Sequence, residues 1–136
     1  MIGIDTNVLI RFLTQDDPVQ GALANTFMGT LTEDNPGFIG REVMIETVWV
    51  LERAYKLSRV QIATALERLL EAQELVIEAH DTSALALSRY REGGAGYSDQ
   101  MIALRALAAG CHQTVTFDRK AASLTEMRIL GSGEEH

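Results

Sequence analysis

One cysteine, two prolines and 6% aromatic residues are all of those types that this 136-residue chain contains. The single Cys111 cannot close an intrachain disulfide, which suits a reducing, cytoplasmic setting. No repeat or low-complexity tract interrupts the chain, and its composition excludes collagen-like and disordered classes. No apolar run approaches the ~20 residues of a membrane span, so no membrane is expected among its partners. The opening MIGIDTNVLIRF carries an acid at position 5 and lacks the basic start and cleavage site of a secretory signal, so none is expected. Basic charge is scarce too. Against 19 Asp and Glu there are 12 Lys and Arg, a net charge of −7, which argues against broad, non-specific nucleic-acid binding. What is present is an ordinary globular mixture, 46% hydrophobic and 23% charged. The length suits one domain, able to bury roughly two thirds of its unfolded surface without a disulfide or structural metal.

Short strand patterns alternate with helical ones. Met1–Ile4 is an apolar run of strand length, and Asn7–Leu13 has a helical pattern. Pro18 can begin a helix whose stripe is Val19, Leu23, Phe27 and Leu31. Asn35-Pro36-Gly37 is a turn leading into a strand at Phe38–Ile39. Arg41–Tyr55 is apolar nearly all round and is expected to be a buried helix. Ser58 can cap a helix with the stripe Ile62, Ala65, Leu66, Leu69 and Leu70. Leu75–Ala79 reads as a strand, Asp81 as the cap of a helix through Tyr90, and the glycines of Glu92–Gly96 as a loop. Ser98 is expected to cap a helix ending at Gly110, with Met101, Ile102, Leu104 and Leu107 inward. Thr114–Phe117 and Met127–Leu130 are the last strands. The alternation implies an α/β fold, a mostly parallel sheet covered by helices on both faces. The domain is expected to span 1–130, with Gly131–His136 a flexible tail.

In an open parallel sheet the functional site lies beyond the carboxyl ends of the strands. Asp5 and Asp118 each end a predicted strand. Each could instead do no more than cap the helix that follows. Glu46 is the sharper anomaly, the one charge within VMIETVWVL. A buried carboxylate needs a partner. A metal or cleft would serve, and so would an ion pair with a nearby Arg or escape to solvent at the helix edge. Asp99 follows the glycine loop, where a favourable contact with the helix N-terminus is the simpler reading. Were Asp5, Glu46, Asp99 and Asp118 to converge, an all-oxygen cluster would select Mg²⁺ or Mn²⁺ and suit phosphodiester hydrolysis. Without metal, such carboxylates would repel and some would take up protons. His80-Asp81 has no second such pair, Cys111-His112 cannot make a zinc site, and no GK[ST] follows the glycines.

The segments IDTNVLIRFL, VMIETVWVL, YSDQMIALRALAAGC and VTFDRKA together resemble the PIN-domain family. Within it the chain resembles the VapC toxins of bacterial toxin–antitoxin pairs, from Met1 to about Leu130. The resemblance implies a three-layer α/β/α sandwich and a Mg²⁺- or Mn²⁺-dependent endoribonuclease. It maps the family's catalytic, metal-binding acids onto Asp5, Glu46, Asp99 and Asp118, and supporting polar groups onto Thr6, Asn7 and Thr116. Many relatives carry a further acid where this chain has Gly96, which bears on a second metal. The expected partners are RNA, a small antitoxin that lays a segment in a groove near the acids, and a second copy in a homodimer. Val8, Leu9, Phe12, Leu13, Trp49 and Tyr55 could line such a surface or lie in the core. Setting aside the four site carboxylates takes the net charge from −7 to −3. Arg11, Arg41, Arg119 and Lys120 lie close to site residues or strand ends and are candidates for phosphate contact, if they are not simply surface charges. Two other readings keep the fold, a housekeeping RNA-processing nuclease and a catalytically silent binding module. A phosphoacceptor receiver domain would need a pair of acids after its first strand, which Asp5 lacks.

Overall fold

The computed structural model describes residues 1–131. Of the tail expected at 131–136, all but Gly131 lies outside the described residues. In chain order the elements are β1 (Ile2–Gly3), α1 (Thr6–Thr14), α2 (Pro18–Gly29), β2 (Gly37–Ile39), α3 (Arg41–Arg53), α4 (Arg59–Glu71), β3 (Leu75–Ile77), α5 (His80–Glu92), α6 (Tyr97–Ala108), β4 (Thr114–Thr116), a 3-10 turn (Ala121–Ser123) and β5 (Met127–Ile129). Every strand pair is parallel. One ladder runs β1-β2-β3 and a second joins β4 to β5. Ile2 pairs with Gly37 and Gly37 with Leu75. Parallel strands require crossovers, and the helices supply them.

The middle strand demands a glycine at its start. A Cβ on Gly37 would lie 2.7 Å from Ile4 Cδ1 and 2.9 Å from Leu31 Cδ1. Both neighbours are buried. The core continues through Leu9, Ile39, Met44, Leu51, Ile62, Leu66, Leu87 and Met101. A smaller cluster of Ala103, Ala121 and Met127 fastens α6 to the second ladder.

Helix starts follow local chemistry, with exceptions. Asp17 caps α2 through Val19 N–H and Gln20 N–H, with Pro18 at the first position. Ser58 and Gln61 form a reciprocal capping box on α4. Ser98, however, lies inside α6. Gly96 is the cap residue, and its carbonyl accepts from Gln100 N–H. Asp81 likewise sits within the first turn of α5, entered through Ala79 at φ 51°.

Three expected faces are turned. In α2, Val19 and Leu23 are 70% and 66% exposed, while Gly21 and Ala24 are buried. Small residues let α2 approach α1 closely and leave the bulky stripe outside. In α6, Met101 and Leu104 point inward, but Ile102 and Leu107 are exposed. Helix α3 is not buried all round. Met44, Thr47, Val48 and Leu51 face the core, whereas Glu46 is exposed and Trp49 is 55% exposed. No helix among the described residues is long and apolar enough to cross a membrane.

Candidate functional site

The first ladder ends at Gly3 and Ile39, and the chain turns at once into α1 and α3. Asp5 is the N-cap of α1, and its Oδ1 accepts the Thr6 N–H at 2.7 Å. The buried Thr6 then reaches across to α3, its hydroxyl donating to Glu46 Oε1 at 2.5 Å. One threonine thus joins the acid at the end of β1 to the acid in the middle of α3. Glu46 is therefore not a buried charge in need of rescue. It sits at the exposed helix edge, the solvent alternative that the sequence left open, and aims one oxygen at Thr6. Asp5 Oδ2 and Glu46 Oε2 have no hydrogen-bond partner among the described residues. Both acids line a hollow of about 430 Å³ with Asn7, Arg11, Val50 and Tyr55.

Glu46 also borders a second hollow of about 590 Å³, shared with Glu42, Trp49, Glu52 and the start of α6 at Gly96, Tyr97 and Ser98. Asp99 lies in the first turn of that helix. A Cβ at Gly96 would stand 3.7 Å from Asp99 Oδ2, so a side chain at position 96 would border Asp99. Asp118 follows β4, and its Oδ1 caps the 3-10 turn through Lys120 N–H and Ala121 N–H at 2.8 and 3.2 Å. Thr116 accepts the Asp118 N–H at 3.0 Å, so it braces that residue's backbone. The capping reading of Asp5 and Asp118 is thus what their bonds display, with one oxygen of each left over. Among the described residues, no three His, Cys, Asp or Glu side chains are assembled to hold a metal ion. The donor chemistry nevertheless fits a hard cation, because Asp5 and Glu46 both line one hollow and each keeps a carboxylate oxygen without a hydrogen bond among the described residues.

The candidate phosphate contacts divide. Arg41 is committed to Glu78, whose Oε1 accepts the Arg41 N–H at 2.9 Å and whose Oε2 lies 3.6 Å from the guanidinium. Arg119 and Lys120 are exposed beside Asp118. Arg11 is built into a network that the sequence did not reveal. Its Nε donates to Gln20 at 2.8 Å, and its NH1 to Asp16 at 3.0 Å and to Tyr55 Oη at 3.2 Å. Tyr55 Oη donates to Asp16 Oδ2 at 2.7 Å, and Thr14 to Oδ1 at 2.8 Å. Those bonds, first from Tyr55 and then Thr14, hold the Asp16 carboxyl down to about 2. The same contacts raise Arg11, led by its bond to Asp16.

A second unforeseen network holds the glycine loop that precedes Asp99. Arg59 donates to the carbonyls of Tyr90, Gly94 and Ala95 at 2.9, 2.8 and 3.2 Å. Its guanidinium also stacks 4.7 Å over the Tyr90 ring. The loop can turn there because Gly93 and Gly94 hold φ of 107° and 82°. The Tyr90 hydroxyl donates to Glu52 at 2.5 Å and is pushed far up by burial and by that carboxylate. Burial pushes the Tyr97 hydroxyl up to about 12. Sequence carried no sign of either network. The partners of Arg59 are backbone carbonyls more than 30 residues away.

An apolar groove of about 510 Å³ runs along α1 and α2 from Asp5, lined by Ile2, Val8, Leu23, Ala24 and Phe27. Of the residues expected at a groove or in the core, Leu9 is fully buried, Val8, Phe12, Leu13 and Tyr55 are half-buried, and Trp49 is exposed. Residues 2–126 match the family described as PIN domain. Over 121 residues the chain is 26% identical to a VapC ribonuclease of Aquifex aeolicus (strain VF5), covering 89% of this chain and 90% of that protein.

Proposed function

Because the chain belongs to the PIN-domain family, we propose that it is a divalent-metal-dependent endoribonuclease and the toxin of a toxin–antitoxin pair. The observation that carries this reading is the Asp5–Thr6–Glu46 link, which joins two carboxylates that line one hollow with Arg11. The likeness to a protein named VapC ribonuclease over most of both chains supports the substrate class.

In this reading Asp5, Glu46, Asp99 and Asp118 hold Mg²⁺ or Mn²⁺. The cation supplies Lewis-acid activation of water and neutralises charge at the phosphate. Thr6 fixes the Glu46 carboxylate, so that its free oxygen is oriented before substrate arrives. Asn7 and Thr116 support the acids, and Arg11, Arg119 and Lys120 contact phosphates. Arg41, like Arg11, already faces an acid, with Glu78 3.6 Å from its guanidinium. The groove beside Asp5, with Leu23 exposed along it, suits an apolar antitoxin segment. A cytoplasmic homodimer completes the proposal.

The test is cleavage of total bacterial RNA by the purified protein with Mg²⁺, with Mn²⁺ and with EDTA, beside Asp5→Asn and Glu46→Gln. Metal-dependent cleavage that both variants lose is the expected result. Metal binding without cleavage of any RNA, including RNA from several sources, would instead favour the silent binding module. Copurification with the product of a small adjacent gene separates the toxin from a housekeeping nuclease.

A further inference from the structure

We propose that Asp16 and Tyr55 are positioning residues, which hold the Arg11 guanidinium as a phosphate contact at the mouth of the Asp5–Glu46 hollow. The inference rests on the nuclease reading above and adds to it two residues and a device. Arg11 lies on α1, Asp16 in the link to α2 and Tyr55 just beyond α3, so three segments meet at one cation. They close a ring: Arg11 donates to both partners, and Tyr55 donates to Asp16. Gln20 takes the Nε, while NH2 has no partner among the described residues. Arg11 and Tyr55 line the hollow that contains Asp5 and Glu46. Arg11 also lines the apolar groove along α1 and α2, as Asp5 and Asn7 do. The guanidinium is therefore held through Nε and NH1 and offers NH2 to a ligand. A phosphate oxygen is best met by a charged donor in a fixed orientation, and NH2 supplies one because the side chain's rotamers are already restrained. Asp16 is itself held by Tyr55 and Thr14, which fixes the acid that Arg11 meets.

The idea makes a prediction opposite in sign to simple electrostatics. Removing a negative charge near an RNA site ought to tighten binding by charge alone. If Asp16 orients Arg11, removing it weakens binding instead. The probe is a fluorescently labelled single-stranded RNA of mixed sequence, titrated with the full chain by anisotropy across a series of NaCl concentrations. Titrations are run with EDTA and with Mg²⁺. Asp16→Asn and Tyr55→Phe should each weaken binding roughly three- to tenfold, the worth of one lost oriented hydrogen bond. Arg11→Gln should weaken it further and reduce the salt slope by about 0.7, one phosphate on a single strand. In the Arg11→Gln background, Asp16→Asn should lose its effect or reverse it. Thermal melts confirm that each variant is folded. Tighter binding by folded Asp16→Asn, or an unchanged salt slope in Arg11→Gln, overturns the proposal. So does a wild-type protein that binds no RNA in either buffer. A wild-type protein that cleaves RNA while all three variants bind normally sinks only the clamp. One that binds through the clamp but never cleaves sinks only the nuclease reading.

Discussion

Replacing Arg59 with alanine tests how the start of α6 is held. The side chain makes three hydrogen bonds to carbonyls of residues 90, 94 and 95, two of them in partly buried surroundings. Each partly buried bond to a charged donor is worth about 1 kcal/mol net, and leaving its carbonyl unpaired costs more. The exposed bond to Gly94 adds little, since water replaces it. Stacking on Tyr90 adds about 0.5–1 kcal/mol. The sum is about 3 kcal/mol, which in a domain of this size lowers Tm by about 10 °C. Arg59→Lys keeps the charge, but a single ammonium cannot span carbonyls that the planar fork reaches together. It should recover less than half of the loss. Loosening the Gly93–Gly96 turn also releases Asp99, so RNA cleavage should fall in Arg59→Ala well below the melting temperature. Calorimetry or circular dichroism melts give the first number, and cleavage at 25 °C gives the second. A Tm within about 2 °C of wild type would show that the glycine turn holds itself, contrary to the reasoning from the bonds.

Further outcomes follow from other contacts. Gly37→Ala adds a methyl 2.7 Å from Ile4 and 2.9 Å from Leu31, and should cost about 1–3 kcal/mol in a urea melt. Thr6→Val removes the bridge to Glu46 while keeping shape, so cleavage should drop about tenfold or more with a smaller change in stability. Asp16, held near 2 by Tyr55 and Thr14, contributes stability that is full above its ordinary value of 3.8 and is lost as pH falls through about 2. NMR titration of its carboxyl carbon should therefore show no midpoint near 4 in the wild type, and a return toward 3.8 in Tyr55→Phe. Mg²⁺ at millimolar concentration should raise Tm in the wild type and not in Asp5→Asn, as expected when a ligand binds only the folded state.

Much of this fold could be read from local chemistry. Alternating patterns gave parallel strands joined by helices, and Pro18 and Ser58 marked helix starts because their effects act within one turn. Asp5 and Asp118 stand out at predicted strand ends and Glu46 inside an apolar run, whereas Asp99 is marked out only by the resemblance. Periodicity misled where two faces of a helix were both apolar. It placed Val19, Leu23, Ile102 and Leu107 inward, and small residues such as Gly21, Ala24 and Ala103 took the buried side instead. Which face of a helix is buried depends on how closely its neighbour approaches, and that is a property of the packed pair.

The sequence by itself determined the order of elements and singled out the acids proposed for the site, because both depend on residue type and near neighbours. Tertiary structure decided what those acids touch. It brought Thr6 against Glu46 across 40 positions, Tyr55 against Asp16 across 39 and Arg59 against Ala95 across 36. Hydrogen bonds act over about 3 Å, so no pattern along the chain encodes them. Only the folded arrangement of α1, α3 and α4 closes those distances.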